Sequence, residues 1–113
     1  MKRHQIFCGL ETVIAARMNG AYYFVENGRT ISTDTIVRDL AAEYFPNGHT
    51  IYEAKGRWMQ NGKICNEPTL VVEVWEVNGF DKQPVTEFAG AYKERGHQES
   101  VVVISQEAEA TVV

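Results

Sequence analysis

Five Asn-Gly dipeptides, at Asn19-Gly20, Asn27-Gly28, Asn47-Gly48, Asn61-Gly62 and Asn78-Gly79, cut this chain into short pieces. Both residue types tolerate the positive φ angles of tight turns. Flanked by alternating apolar residues, the pair is the strongest short-range hairpin signal a sequence carries. The 113 residues show no repeat, low-complexity linker or internal boundary, and read as one α+β domain over residues 1–113.

The pieces between the turns have distinct periods. Residues 5–10 form a first strand. Residues 12–31 read as an inserted β-hairpin: Val13 to Met18 run out, Asn19-Gly20 turns, and Ala21-Tyr22-Tyr23-Phe24-Val25 return before Asn27-Gly28 leads into Thr30-Ile31. Ser32-Thr33-Asp34 then offer capping side chains to the free amides of a first helix. Ile36, Leu40 and Tyr44 recur every fourth residue, with Val37 and Ala41 beside them, until Pro46 and Asn47-Gly48 end the stripe. A strand over residues 49–59 follows, with Tyr52, Ala54, Gly56 and Trp58 on one side and Glu53, Lys55 and Arg57 on the other. After Asn61-Gly62 and a loop through Asn66-Glu67-Pro68, the β-branched run 69–77 reads as a central strand. A second helix spans residues 83–94 and turns Val85, Phe88, Ala89 and Tyr92 to one face. Asp81 is its candidate cap, Pro84 suits a first turn and Gly96 is the expected stop. Residues 100–104 make the last strand, and the acidic tail 106–113 can add a short edge strand.

Without the insertion, this order is the split βαβ pattern of a ferredoxin-like sandwich, an antiparallel sheet with both helices on one face. Its other face is left uncovered. Trp58, Trp75, Tyr22, Tyr23 and Phe24 supply more aromatic surface than one helical layer needs, so a pocket or an interface is expected on that second face.

Composition removes several functional classes. A net charge of −4 speaks against binding a duplex, which rests on many cationic contacts to phosphate. A few converging arginines can still hold a small anion. No apolar run has the length of a membrane span or a signal peptide. Two cysteines, Cys8 and Cys65, make no disulfide framework and read as small buried hydrophobes of a cytoplasmic protein. His4, His49 and His97 are too scattered for metal-ligand pairs, so no metal and no cofactor are expected. No nucleophile signature or phosphate loop is present, and no catalytic residue is assigned. Glu73 reads as a satisfied polar group on the open face. The polar residues left over gather near the second helix and the hairpins. Arg29, Arg57 and Arg95 are candidate phosphate or ribose contacts, Trp58 or Tyr92 candidate stacking surfaces, and His97, Gln98, Glu99 and Ser100 candidate orienting groups. An enzyme using His97 or Glu99 as a base is the alternative reading, and a purely structural oligomer a third.

The runs Phe7-Cys8-Gly9-Leu10, Phe45-Pro46-Asn47-Gly48-His49-Thr50, Gly56-Arg57-Trp58, Gly62-Lys63-Ile64 with Glu67-Pro68, and Tyr92 leading to Gln98-Glu99-Ser100-Val101 resemble the bacterial domain-of-unknown-function family 3574. The likeness covers residues 6–103 and implies a ferredoxin-like sandwich without implying an activity. The departure is region 12–31, a longer hairpin than that family carries. In size and element order the chain also resembles, more loosely, the phage Thoeris anti-defence one proteins. That likeness implies a cytoplasmic homodimer or higher homo-oligomer sequestering a cyclic ADP-ribose signal without catalysis. No motif aligns, so no residue is carried over. The expectation is a non-enzymatic sponge for a small anionic, nucleotide-like ligand.

Overall fold

The computed structural model describes residues 1–76, 83–109, 111 and 113, apart from the side chains of Trp58 and Gln60. The expected Asp81 cap and the Asn78-Gly79 turn lie outside the described residues. Among the described residues nine elements follow one another: β1 (Lys2–Gly9), β2 (Ala16–Met18), β3 (Ala21–Glu26), β4 (Arg29–Ser32), α1 (Thr33–Tyr44), β5 (Thr50–Gln60), β6 (Lys63–Glu76), α2 (Val85–Arg95) and β7 (Val102–Glu107).

Three of the Asn-Gly pairs do what their chemistry predicts. Asn19, Asn27 and Asn61 have φ near +52°, and the glycines after them lie between +77° and +80°. Two consecutive left-handed residues make the tight turn that matches strand twist. These turns close β2–β3, β3–β4 and β5–β6. At Asn47-Gly48 only the glycine has positive φ, and the pair links a helix to a strand.

β1, β5, β6 and β7 form an antiparallel sheet in the order β5-β6-β1-β7. This is the ferredoxin-like order, and α1 and α2 cover one face. Ile6, Cys8, Leu70, Val72 and Val74 point toward the helices and pack with Ile36, Val37, Leu40, Phe45, Phe88 and Tyr92 in one apolar core. Burial pushes the Cys8 thiol up to about 12, so it behaves as a small hydrophobe. Ser32 caps α1 by accepting from the Thr35 amide (3.1 Å).

The expected hairpin insertion is a three-stranded sheet, β2-β3-β4, of which β4 runs directly into α1. Tyr22 and Phe24 are buried, so part of the aromatic surplus is core.

Region 66–68 is not a loop. β6 stays paired with β5 through Asn66, Glu67 and Pro68, so the two strands project past the end of β1 as an arm. Pro68 is tolerated because β1 stops beside it. Leu10 donates its amide to the Pro68 carbonyl (3.0 Å), but Pro68 has no N–H to return. The Thr33 hydroxyl donates to the Leu10 carbonyl instead (2.7 Å), which ties the first turn of α1 to the sheet. β7 runs on to Glu107 and takes in residues read as tail.

Candidate functional site

Strand parity decides what the uncovered face displays. From β1 it receives Arg3, Gln5, Phe7 and Gly9, and from β6 Glu67, Thr69, Val71, Glu73 and Trp75. β5 adds Thr50, Tyr52, Ala54 and Gly56, and β7 adds Val102 and Ile104. Two carboxylates stand out, at opposite ends of the face. Six residues separate them along β6, roughly 20 Å at strand rise.

Glu73 is satisfied, as the sequence suggested. Arg3 donates to it from Nε (2.8 Å) and approaches through Nη2 (2.7 Å). Trp75 Nε1 donates at 3.3 Å and the Tyr52 hydroxyl at 3.4 Å. Gln5 in turn donates to Tyr52 (2.7 Å), and the Arg3 guanidinium lies 5.8 Å from the Trp75 ring centre. This network floors a hollow of about 390 Å³ walled by Asn47, Gly48, His49, Thr50 and Gln83.

Glu67 is different. It is half-buried, and no cation or hydrogen-bond donor among the described residues reaches its carboxyl. Desolvation raises its pKa above the ordinary carboxylate value, and the charge of Glu11 pushes the same way. Its seat is made by glycines. A Cβ on Gly9 would sit 2.1 Å from Glu67 Oε1, so only a bare backbone lets the carboxyl lie across β1. Gly56 is the direct cross-strand partner of Glu67. A methyl there would press on Thr69 Oγ1 (3.3 Å) and on the Glu67 carbonyl (3.4 Å). From the helix side, the Tyr92 hydroxyl donates to the Gly9 carbonyl and fixes that floor. Perturbed, unpaired carboxylates on an accessible face mark functional sites more often than structural ones.

The residues singled out from sequence fall into separate groups. Arg95 forms a two-pronged pair with Glu26, at 3.0 and 3.3 Å. The His97 ring meets Phe24 edge-on at 5.3 Å, and its carbonyl accepts from Thr12 (3.1 Å). Gln98 donates to the carbonyls of Glu11 (3.0 Å) and Gly96 (3.1 Å). These three therefore stitch the turn after α2 onto the N-terminal sheet. Glu99 and Ser100 are exposed beside them, and Arg29 is exposed at the start of β4. Tyr92 is fully buried and presents no ring to a ligand. Arg57 is exposed on the β5–β6 arm, with parity toward the helix side, and the Trp58 side chain lies outside the described residues. Among the described residues, no hydrogen bond or ion pair joins Arg57 to the Arg95 turn. From sequence Glu67 stands in a polar cluster beside the hairpin, as a turn cap at most, because its region reads as a loop, where alternation assigns no face.

The family described as "Protein of unknown function (DUF3574)" matches residues 24–112, and the chain belongs to it. Its match includes β4 and the second half of β3, so the part of region 12–31 outside the family is residues 12–23. No curated protein matches the chain. Two solved structures share the fold. A phage SAM lyase in its apo state is 20% identical, with a TM-score of 0.56 over 93% of this chain and 78% of that one. A phage SAM lyase in complex with S-methyl-5'-thioadenosine is 21% identical, with a TM-score of 0.56 over 94% and 80%. Among the described residues no helix is long and apolar enough to cross a membrane, and no cluster of side chains suits a metal.

Proposed function

We propose that the uncovered sheet face binds a cationic adenosine-type ligand, SAM or a close relative, and cleaves it as a lyase does. The observation that carries this is Glu67, a half-buried carboxyl with no cation beside it. Such a group is costly unless a ligand supplies the missing charge. A sulfonium does so, and the fold is shared with proteins named as SAM lyases. Carbon–sulfur cleavage suits the site: the carboxylate of the ligand's own amino-acid arm closes on the carbon as the C–S bond breaks, and the electron pair leaves on sulfur as a neutral thioether that needs no acid to protonate it. The residues of this chain then have to hold the cation, orient it and limit water, and the glycine floor lets the ligand approach the backbone closely.

The expectation of an anionic ligand shifts with this reading. Of the arginines assigned to phosphate, Arg95 is committed to Glu26, and the uncovered face carries an uncompensated acid. Exposed Arg29 and Arg57 keep the sequestration of a cyclic ADP-ribose-type signal as the second reading. Either activity would serve a phage as anti-defence in a host cytoplasm. Val102 and Ile104, exposed on the same face, would meet another protomer in a homo-oligomer.

Calorimetry with SAM, S-methyl-5'-thioadenosine and cyclic ADP-ribose, followed by mass analysis of the recovered ligand, tests the proposal. SAM is expected to bind at least tenfold more tightly than its neutral thioether product and to be recovered as that product. Glu67→Gln should remove the preference, a loss of about 1.4 kcal/mol or more. Tighter binding of cyclic ADP-ribose, recovered intact, would overturn it in favour of sequestration.

A further inference from the structure

At the opposite end of β1 from Gly9, three strands bring together side chains that no local motif connects. The Ser105 hydroxyl on β7 lies 2.6 Å from His4 Nδ1 on β1, and His4 Nε2 lies 3.0 Å from Glu76 Oε2 on β6. His4 is 8% exposed, whereas Ser105 is open to solvent. The direction of each hydrogen bond follows from chemistry. A carboxylate only accepts, so Nε2 carries the ring proton. In the neutral ring Nδ1 is then left with its lone pair, and the serine donates to it. A hydroxyl donating to a buried imidazole that is itself oriented by a carboxylate is the relationship on which nucleophilic serine chemistry depends.

The backbone supplies a second element. Leu10 donates to Pro68, and Ala108 donates to Met1 (2.9 Å). Counting along the alternating antiparallel ladders from each bond gives the same answer: His4 bonds its backbone to β6, and His4–Ser105 is a non-hydrogen-bonded pair. The Ser105 N–H therefore points away from β1. β7 is an edge strand, so that amide is free to face the oxygen of an adduct on its own side chain.

We propose that Ser105, His4 and Glu76 form a nucleophilic site that accepts acyl groups from small activated esters. Ser105 Oγ adds to the ester carbon while its proton passes to His4 Nδ1. The bond to the leaving oxygen then breaks, and that oxygen takes the proton from His4. Water, activated by the same imidazole, adds to the acyl-serine, releases the acid and restores Ser105. Glu76 holds the ring proton on Nε2 throughout and acts as a positioning residue.

The folded chain is treated with a fluorophosphonate probe and with p-nitrophenyl acetate, and the modified residue is found by peptide mass mapping. The expected result is one adduct, on Ser105, formed at least a hundredfold faster than in urea-unfolded chain. It is absent in Ser105→Ala and about tenfold slower to form in Glu76→Gln. His4→Gln should abolish it, and the partly exposed Glu76 variant keeps the test intact if the buried His4 variant does not fold. No adduct on the folded chain, or equal labelling of Ser105→Ala, would overturn the proposal and leave the three residues as a polar clasp on β7.

Discussion

The two faces of the four-stranded sheet are made from alternate residues of the same strands, yet they follow opposite rules. Toward the helices, Ile6, Cys8, Leu70, Val72 and Val74 are all at most 1% exposed and make only apolar contacts of consequence. On the other face the same strands carry Arg3, Gln5, Glu67, Glu73 and Trp75. There the polar groups are paired one by one, with Glu67 as the exception. The difference separates what the fold needs from what it leaves available. A face that only had to be soluble would pair or expose its charges, and it would have no need of glycines at both places that touch Glu67.

The largest expected effect breaks the covered face. Phe88 is fully buried and packs on Phe45 and Tyr44 at ring distances of 5.2 and 6.1 Å. Phe88→Ala should cost about 3–5 kcal/mol, a large part of a small domain's stability. The urea midpoint reads this, with an unchanged slope. Ile104→Ser on the uncovered face is the counterpart and should stay within about 0.5 kcal/mol in dilute solution. A comparable loss at Ile104 would mean that this face is buried against a second protomer.

How much of this contrast was legible beforehand depended on the range of the signal. Three of the Asn-Gly turns, the Ser32 cap and the four-residue stripe of α1 are local chemistry, and each is found where the sequence puts it. Tyr92 shows a conflict between two readings. The spacing that aligned it with Val85 and Phe88 predicted burial, and that outweighs its value as a stacking ring. Asn66-Glu67-Pro68 reads as a loop because nothing local reveals that β1 ends beside Pro68. Arg95 looked free because Glu26 belongs to another element. The seat of Glu67 on Gly9 and the His4–Ser105 contact, 101 residues apart in sequence, depend wholly on strand order and register. Alternation assigns faces within one strand, but it does not say which strands become neighbours.

Glu67 gives a smaller and more pointed effect. Its folded-state pKa is raised above its ordinary value of 4.5 by burial and by Glu11. Between the unfolded and folded values the folded chain therefore holds more protons than the unfolded one, so stability falls as pH rises through that window. Glu67→Gln removes the ionisation. The variant should match the parent in Tm at acid pH below the window. It should then gain progressively from about pH 4.5 upward and level off above the raised value. The gain in Tm is expected to be small, because solvent reaches about half of the side chain and screens its charge. A variant that loses stability relative to the parent as pH rises would show that Glu67 has a cationic partner after all and belongs with Glu73, and a constant difference would show that its carboxyl is not perturbed by the fold. Gly9→Ala sharpens the same point. The added methyl displaces a flexible carboxyl rather than backbone, so it should weaken ligand binding more than it weakens the fold.

The smallest effect concerns a pair that lies on neither face. Arg95 and Glu26 join α2 to β3 through two bonds, with about a third of each side chain exposed. The guanidinium is strengthened as a cation chiefly by its hydrogen bond to Glu26, but solvent screens an interaction this open. Arg95→Ala should cost about 0.5–1 kcal/mol, slightly more than the about 0.3–0.5 kcal/mol expected for the exposed i,i+4 pair Arg38–Asp34. Its value lies in what else it moves. If the uncovered face is where the ligand sits, Arg95→Ala shifts the urea midpoint and leaves SAM affinity within about twofold. A tenfold loss of affinity with little loss of stability would return the site to the turn after α2, and would make Arg95 a ligand contact that only rests on Glu26 while the site is empty.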